Sequence, residues 1–203
     1  MKLFYSPGAC SLGIHVVLEE IGAPFTVQRI STRDGSNLKP DYLAVNPKAK
    51  VPTLVLDDGT VITEYPSIAM YLARSNPAAG LLPEDLLAEI DCLSVLDYIT
   101  GTVHPMGFTR QFRAARFAKD TADEARVIAD GKAAAESYLQ VLAAGLRGPW
   151  YFGARYTLAD SALFFIEQWC GRAQITPPPA ISAHHQRMLA RPAVQRALAT
   201  ESA

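Results

Sequence analysis

The stretch KLFYSPGACS, residues 2–11, decides the fold of the N-terminal half. Leu3 to Tyr5 is a short apolar run typical of a strand. Residues 6–9, SPGA, have turn chemistry, because proline fixes φ and glycine tolerates unusual backbone angles. From Ser11 onward apolar residues recur at i, i+3, i+4 and i+7, which predicts one face of a helix. Cys10 is therefore predicted where a strand-to-helix loop enters the first helical turn.

Cys10 has two interpretations at that position. A helix N-terminus offers unpaired N–H groups and the positive end of the helix dipole, so it favours the thiolate form of a cysteine. The alternative is a small buried filler residue, as most cysteines are. The Pro-Gly loop in front of Cys10 favours the functional interpretation, because a filler residue needs no such loop.

The composition narrows the class of protein. The 203 residues are 49% hydrophobic and 19% charged, with a net charge of −1 and no basic run. These values indicate a globular protein and argue against a nucleic-acid or membrane partner. Three widely spaced cysteines argue against a disulfide framework and fit a reducing compartment. With no apolar run of signal-peptide or membrane-span length, we expect a cytoplasmic protein.

The first 75 or so residues alternate strand and helix signals. The predicted order is strand, helix, strand, short helix, strand, strand, helix, which indicates an α/β unit with a mixed four-stranded sheet. The third strand, Val51–Leu56, joins the fourth through a hairpin at residues 57–60. The closing helix is predicted over Pro66–Arg74, with proline at a favourable first position.

Beyond this unit the strand signals stop. We predict a domain over residues 1–76, a linker over 77–85, and an all-helical domain over 86–203. Thr157 and Asp160 stand at N-cap and N3 spacing, which predicts a capping box with Asp in the usual Glu place. The predicted helices of the second domain are Leu86–Arg116, Thr121–Ala144, Thr157–Gln174, Ile181–Arg191 and Ala193–Thr200.

Four segments together resemble the cytosolic glutathione transferases, most closely the bacterial beta class. They span both halves of the chain in the family's order. The resemblance implies a thioredoxin-like first domain, a helical-bundle second domain, transfer of alkyl or aryl groups to glutathione, a role in detoxification, and a homodimer. The segments are KLFYSPGACS (2–11), NPKAKVPTLVLDDGTVITE (46–64), WYFGARYTLAD (150–160) leading to Trp169, and RPAVQRAL (191–198).

The resemblance implies a glutathione site in the first domain. It makes the Val51–Pro52 peptide bond cis, with Lys50 beside it, so that the Val51 N–H and C=O can pair with the ligand; spacing alone favours a trans proline that starts a strand. Glu64 would take the γ-glutamyl amine, and its alternative is a solvated surface acid. Tyr65 stands where the family usually has Ser or Gly, so a useful hydroxyl is in doubt.

A second group of candidates lies on the long predicted helix. Asp97, Gly101 and His104 fall at i, i+4 and i+7 and should share one face, where Gly101 would admit a ligand closely. Spacing alone equally allows a solvent-turned face with a structural histidine. The resemblance implies that Asp97 and His104 contact glutathione or face its thiol. Asp97 replaces the usual Asn, and Pro105, which should bend the helix, replaces the usual Lys.

The resemblance also implies the roles at the reacting sulfur. Cys10 would face the glutathione thiol and could form a mixed disulfide with it, and His104 would act as donor or general base. Tyr5 and Ser11 are alternative hydroxyl donors. The predicted pocket for a small hydrophobic electrophile consists of Phe108, Phe112 and Trp169, although aromatic residues at helical spacing are more often core.

The sequence leaves four functions open, and the last of them is a narrow reaction that uses glutathione as cofactor, such as reductive dechlorination, ring cleavage or isomerisation. The first is a glutathione transferase that favours the thiolate of bound glutathione, with no metal. The second is a ligand-binding protein of transferase fold with little turnover, suggested by Tyr65, Asp97 and Pro105. The third is a glutathione-dependent thiol–disulfide reductase, although the chain has no Cys-x-x-Cys motif for an internal redox cycle.

Overall fold

The computed structural model describes residues 1–202. Its contacts divide the chain into two compact units: Met1–Leu82 with the C-terminal stretch from Leu189, and Pro83–Met188. The first unit carries the four-stranded sheet and the second is helical, so the predicted fold class is confirmed. None of the helices within the described residues combines the length and apolar character needed to cross a membrane.

The sheet has the order β2-β1-β3-β4. β1 runs parallel to β2 and antiparallel to β3, and β3 runs antiparallel to β4. The sheet is mixed because a helix crosses over between β1 and β2, whereas a tight hairpin joins β3 to β4. The strands are β1 Lys2–Tyr5, β2 Thr26–Arg29, β3 Thr53–Val55 and β4 Val61–Thr63.

Strand register brings three connections to one edge of the sheet. Phe4 pairs with Thr53, and Thr53 pairs with Thr63. The end of β1, the start of β3 and the end of β4 are therefore neighbours. The loop that leads to Cys10, the loop before β3 and the turn after β4 consequently meet at this edge.

Three helices complete the N-terminal part of the first unit. Every residue of α1 from Ser11 to Leu18 is buried, and α1 ends at Gly22, which adopts the left-handed conformation typical of a helix C-cap. A proline stands in the first turn of both α2 and α3, a favourable position for proline, and the sequence pattern predicted the one in α3. The helices are α1 Ser11–Ile21, α2 Pro40–Leu43 and α3 Tyr65–Ser75.

The C-terminal helix α9, Pro192–Ser202, is joined to α1 by charged contacts. Arg191, just before α9, binds Glu20 through two hydrogen bonds of 2.6 and 2.8 Å, and Arg196 binds Glu19 at 2.5 Å. The predicted boundaries place this stretch in the helical domain, whereas its contacts group it with the sheet. Sequence patterns reveal helices but not the partner against which a terminal helix packs.

The second unit consists of helices and helical turns. The single long helix predicted over Leu86–Arg116 is instead a succession of shorter elements, because a π-helix interrupts it. Pro105 lies inside that π-helix, whose wider turns accommodate a residue that lacks an N–H and crowds the preceding turn. The elements are α4 Leu86–Tyr98, the π-helix Ile99–Thr109, α5 Arg110–Phe112, α6 Glu124–Gly145, α7 Leu158–Arg172 and α8 Pro179–Leu189.

A buried polar cluster fixes the start of α7, and the predicted capping box is confirmed there. The Asp160 carboxylate accepts hydrogen bonds from the Thr157 N–H at 2.7 Å and the Tyr151 N–H at 2.6 Å. His184 lies between Asp160, at 2.9 Å, and Glu167, at 2.7 Å. Burial alone would lower the pKa of His184, but the hydrogen bonds to the two carboxylates outweigh it and raise that pKa to about 9.

Candidate functional site

Cys10 lies where the sequence predicts it, as the residue that precedes the first turn of α1. The loop in front of it turns at Gly8, whose φ of +67° is a left-handed value that glycine adopts without steric cost. The Cys10 thiol donates a hydrogen bond of 3.5 Å to the Val51 carbonyl. This contact links the β1–α1 loop to the loop before β3.

The environment of Cys10 is dry. Its side chain is buried, and this burial raises the pKa of the Cys10 thiol to about 12, outweighing the opposing effects of nearby N–H groups and of Lys50. The expectation that the helix N-terminus favours its thiolate is therefore wrong for this environment. Loss of hydration destabilises the thiolate more than the N–H groups at the start of the helix stabilise it. Cys10 is a protonated thiol at neutral pH.

The two alternative hydroxyl donors lie inside the first unit. The Ser11 hydroxyl accepts a hydrogen bond from the Ser6 N–H at 3.1 Å and donates to the Ser6 carbonyl at 3.3 Å, so it closes the β1–α1 loop. The Tyr5 ring is buried, with its centroid 5.8 Å from that of His15 on α1. Both side chains have structural contacts that the sequence alone did not reveal.

The loop before β3 contains the predicted cis Val51–Pro52 peptide bond, which is confirmed. The Lys50 carbonyl accepts hydrogen bonds from the Asn46 amide at 2.9 Å and from the hydroxyls of Thr53, at 3.2 Å, and Tyr42. Three donors on one carbonyl hold the backbone of this loop in place. The Val51 carbonyl accepts the Cys10 thiol and retains a second lone pair for a further donor.

Glu64 stands at the turn from β4 into α3. Its φ of +70° is unusual for a residue with a side chain. The carboxylate is exposed and accepts a hydrogen bond from the Lys48 ammonium at 2.8 Å, while that ammonium also donates to the Thr63 hydroxyl at 2.9 Å. A cation and an anion therefore face solvent together beside the start of α3.

Tyr65, the first residue of α3, has a buried ring that is only 4% exposed. The ring therefore packs into the interior of the first unit and does not occupy the exposed surface beside Glu64. Because its side chain is buried, Tyr65 does not provide the exposed hydroxyl that a serine at this position would have. Because the ring is buried, it does not crowd that surface.

The candidates on the long helix belong to the second unit. Asp97 lies near the C-terminus of α4, whereas Gly101 and His104 lie in the π-helix. The prediction that all three share one face assumed 3.6 residues per turn, and this spacing does not extend past Tyr98. Asp97 and Gly101 are exposed and His104 is half-buried. The Thr109 hydroxyl donates to the His104 carbonyl at 3.0 Å.

The three residues predicted to form an electrophile pocket belong to one aromatic cluster. Ring centroids lie 5.8 Å apart for Phe108 and Trp169, 5.9 Å for Phe112 and Trp169, and 4.8 Å for His104 and Trp169. Phe108 is fully buried, whereas Phe112 is half-buried and carries the Arg172 guanidinium 4.0 Å above its ring. Phe108 is thus a core residue, and Phe112 is the more accessible member of the cluster.

Two residues near the first-unit site were missed by sequence reasoning. Lys48 binds Glu64 from 16 positions away, and no periodicity connects them. Glu201 on α9 accepts hydrogen bonds from the Gly8 N–H at 3.1 Å and contacts His15 Nδ1 at 3.2 Å. The charge of Lys48, within the NPKAKVP segment that resembles the family, was the one sequence feature that could have identified it. No sequence feature connected Glu201 with Gly8, which lies 193 positions away.

The described residues hold no group of three or more His, Cys, Asp and Glu side chains that could bind a metal.

Two family models match the chain. The N-terminal domain of glutathione S-transferase matches residues 8–75, and the C-terminal domain of glutathione S-transferase matches residues 102–192.

Relatives agree with this assignment over nearly the full length. Glutathione S-transferase GstA of Escherichia coli O157:H7 is 39% identical, covering 99% of this chain and 98% of the relative. A solved glutathione transferase homologue from Sulfitobacter, with bound glutathione, is 30% identical with a TM-score of 0.93 over 98% of this chain and 97% of its own. A beta class enzyme of Sphingomonas chungbukensis is 33% identical with a TM-score of 0.86, covering 99% and 98%. The chain belongs to the glutathione S-transferase family.

Proposed function

We propose that the protein is a glutathione transferase that binds glutathione at the sheet edge of its first unit. The carrying observation is that Cys10, Val51, Lys48 and Glu64 are joined there by direct contacts and strand register. This edge offers backbone groups for a peptide, a carboxylate for an amine and a helix N-terminus for an anion. Lys50, Pro52 and Tyr65 frame the same edge.

The proposed reaction is attack of the glutathione thiolate on an electrophile. The sulfur forms a bond to an electrophilic carbon, a leaving group departs with its electron pair, and the thiol proton passes to solvent or a base. Because burial keeps the Cys10 thiol protonated, we assign Cys10 as a hydrogen-bond donor to the glutathione sulfur and not as a nucleophile. Tyr5 and Ser11 are secondary candidates, since both have internal contacts.

We further propose that the helical unit supplies the electrophile site. Phe112 and Trp169 would bind the electrophile, with Phe108 supporting them from the core. His104 would act as donor or base, while Asp97 and Gly101 would contact glutathione. The half-buried ring of Phe112, beside the largely buried Trp169, favours a small hydrophobic electrophile.

The finer assignments are also proposals. We assign the chain to the beta class, place it in the cytoplasm and give it a role in detoxification. Homodimer formation is supported by apolar side chains of α4 that are largely exposed: Leu86 at 67%, Leu87 at 80% and Ile90 at 53%. Sedimentation equilibrium tests this, and a monomer at micromolar concentration would contradict it.

Calorimetric titration with glutathione, followed by steady-state conjugation to a chlorodinitrobenzene, tests the main proposal. We expect saturable binding and turnover that require glutathione. Binding without turnover would favour a transferase-fold ligand-binding protein. No binding at millimolar glutathione would contradict both functions.

A thiol–disulfide reductase is the second candidate, and it is favoured by one observation. The sulfur of Cys10 lies at the candidate site as a free thiol. In the reductase reaction, the glutathione thiolate would attack a substrate disulfide, form a mixed disulfide with one half and release the other half as a thiolate. A second thiolate would then attack the mixed disulfide and release the remaining half of the substrate. Reduction of a small disulfide at a rate exceeding conjugation, and lost in Cys10→Ala, would favour this function.

A further inference from the structure

The electrophile site proposed in the helical unit has a positive charge on its most accessible ring. The guanidinium of Arg172 lies 4.0 Å from the centroid of the Phe112 ring, and Arg172 is exposed. A guanidinium within about 6 Å of a ring centroid is attracted by the negative face of the ring. The proposed function uses Phe112 as an apolar surface and gives this cation no role.

Helix α7 presents Arg172 and Trp169 to the same ring. The two residues are three positions apart at the C-terminal end of the helix, so they lie on one face of it. The Trp169 ring centroid is 5.9 Å from that of Phe112, and the two ring planes are nearly perpendicular, at 84°. Phe112 therefore contacts an indole and a guanidinium that one helix holds at a defined spacing. A ligand that packs on the accessible part of Phe112 comes within reach of the cation.

The segment that contains Phe112 is basic. From residue 98 to residue 119 the chain has no Asp or Glu. The acidic residues of α7 do not offset this charge at the surface, because Asp160 and Glu167 are buried against His184. The chain around Phe112 therefore carries positive charge, which favours an anionic ligand. The basic residues of the segment are Arg110, Arg113, Arg116 and Lys119.

We propose that Arg172 binds a carboxylate of the electrophile, so that this site prefers aromatic electrophiles that carry an acidic group. This inference rests on the proposed function, whose substrate class it names. A planar guanidinium presents pairs of N–H groups that match the two oxygens of a carboxylate. An aromatic body packs against Phe112 and Trp169. A neutral aromatic electrophile uses only the rings, so Arg172 is a specificity-determining residue.

Two electrophiles that differ in charge and little else test this proposal. The compounds are 4-chloro-3,5-dinitrobenzoate and its primary amide, which share the ring, the nitro groups and the leaving group. In both reactions the glutathione sulfur forms a bond to the ring carbon that bears chlorine, chloride leaves with the bonding electron pair, and the thiol proton passes to solvent. Steady-state conjugation is measured for the wild-type protein, Arg172→Met and Arg172→Lys, after subtraction of the uncatalysed rate.

The expected result is a loss confined to the charged electrophile. Arg172→Met should lower kcat/KM for the benzoate about tenfold, mainly through a higher KM, because hydrogen bonds to a charged group are lost from the bound substrate and the transition state alike. For the amide, kcat/KM should stay within about twofold. Arg172→Lys keeps the charge but not the planar pair of donors, so its loss for the benzoate should be about threefold. Added salt should weaken the benzoate preference of the wild type only.

A matched control keeps the outcomes distinct. Arg155→Met removes another exposed arginine of the helical unit, which binds Glu84, and should leave both electrophiles unchanged. Equal losses for both electrophiles in Arg172→Met, or no loss for the benzoate, would overturn the assignment of Arg172, while turnover by the wild type would still support the proposed function. Failure of the wild type to conjugate either compound would overturn both. Thermal unfolding of Arg172→Met should match the wild type, because Arg172 is exposed.

Discussion

The two units use charge in opposite ways. In the first unit Lys48 and Glu64 form a pair that faces solvent, at the edge where the candidate ligand site lies. In the second unit His184 is enclosed with Asp160 and Glu167 away from solvent. A buried charge must be fully paired or it destabilises the fold, whereas an exposed charge can exchange partners at little cost. The comparison separates charges that maintain structure from charges available for binding.

The largest expected effect is the loss of stability when the buried cluster of Asp160, Glu167 and His184 is broken. Asp160→Ala removes the acceptor of the capping box and leaves charged His184 with one carboxylate, so we expect a loss of about 3–5 kcal/mol in unfolding free energy. Urea unfolding measures it. Asp130→Ala, which removes an exposed partner of Arg126, is the control and should cost less than about 1 kcal/mol. Similar losses in both variants would abolish the distinction between the units.

The next effect is on the pH dependence of stability. His184 faces Asp160 and Glu167, with His185 and Arg187 nearby, and its folded pKa of about 9 exceeds the ordinary value of 6.5. Its protonation therefore contributes stability that is fully present below pH 6.5 and is lost as pH rises through 9. The linkage amounts to about 3 kcal/mol.

Thermal or urea unfolding between pH 6 and pH 10 tests this linkage. His184→Gln should be less stable at pH 6 and should flatten the decline between pH 6.5 and 9. An equally steep decline in that variant would assign the pH dependence to other groups.

A smaller change should separate binding from stability at Glu64. Glu64→Gly removes the carboxylate but suits a φ of +70°, so we expect weaker glutathione binding, by about tenfold in KM, together with a gain of up to about 1 kcal/mol in stability. Steady-state kinetics and urea unfolding measure the two quantities. Glu64→Ala is the matched control, with the binding loss but no stability gain. Loss of stability in Glu64→Gly would show that this carboxylate supports the fold.

The smallest effect is expected at Cys10. Since its thiol remains protonated at neutral pH and is proposed only as a weak hydrogen-bond donor to the glutathione sulfur, Cys10→Ala should lower kcat/KM for conjugation by about threefold. Alkylation of wild-type Cys10 should accelerate steadily up to pH 11, because only the thiolate reacts. A plateau in alkylation below pH 9, together with a loss of conjugation of about a thousandfold, would show that Cys10 acts as a thiolate.

Local patterns predicted the secondary structure well where neighbours along the chain decide it. The alternation of strand and helix signals, the hairpin at residues 57–60 and the capping box at Thr157 all depend on groups a few positions apart. The π-helix was missed, because Pro105 was expected to bend an α-helix, whereas the chain widens its turns. The cis Val51–Pro52 bond was predicted from family resemblance, since spacing alone favoured trans.

The sequence by itself determined the order of elements, the family and the position of Cys10 before α1, since these depend on periodicity, turn residues and motifs. Only the tertiary structure decided that Cys10 is too dry to ionise near neutral pH, that Lys48 faces Glu64, and that α9 packs with the first unit. Hydration and charge pairing depend on groups brought together from distant parts of the chain, and no local pattern records them.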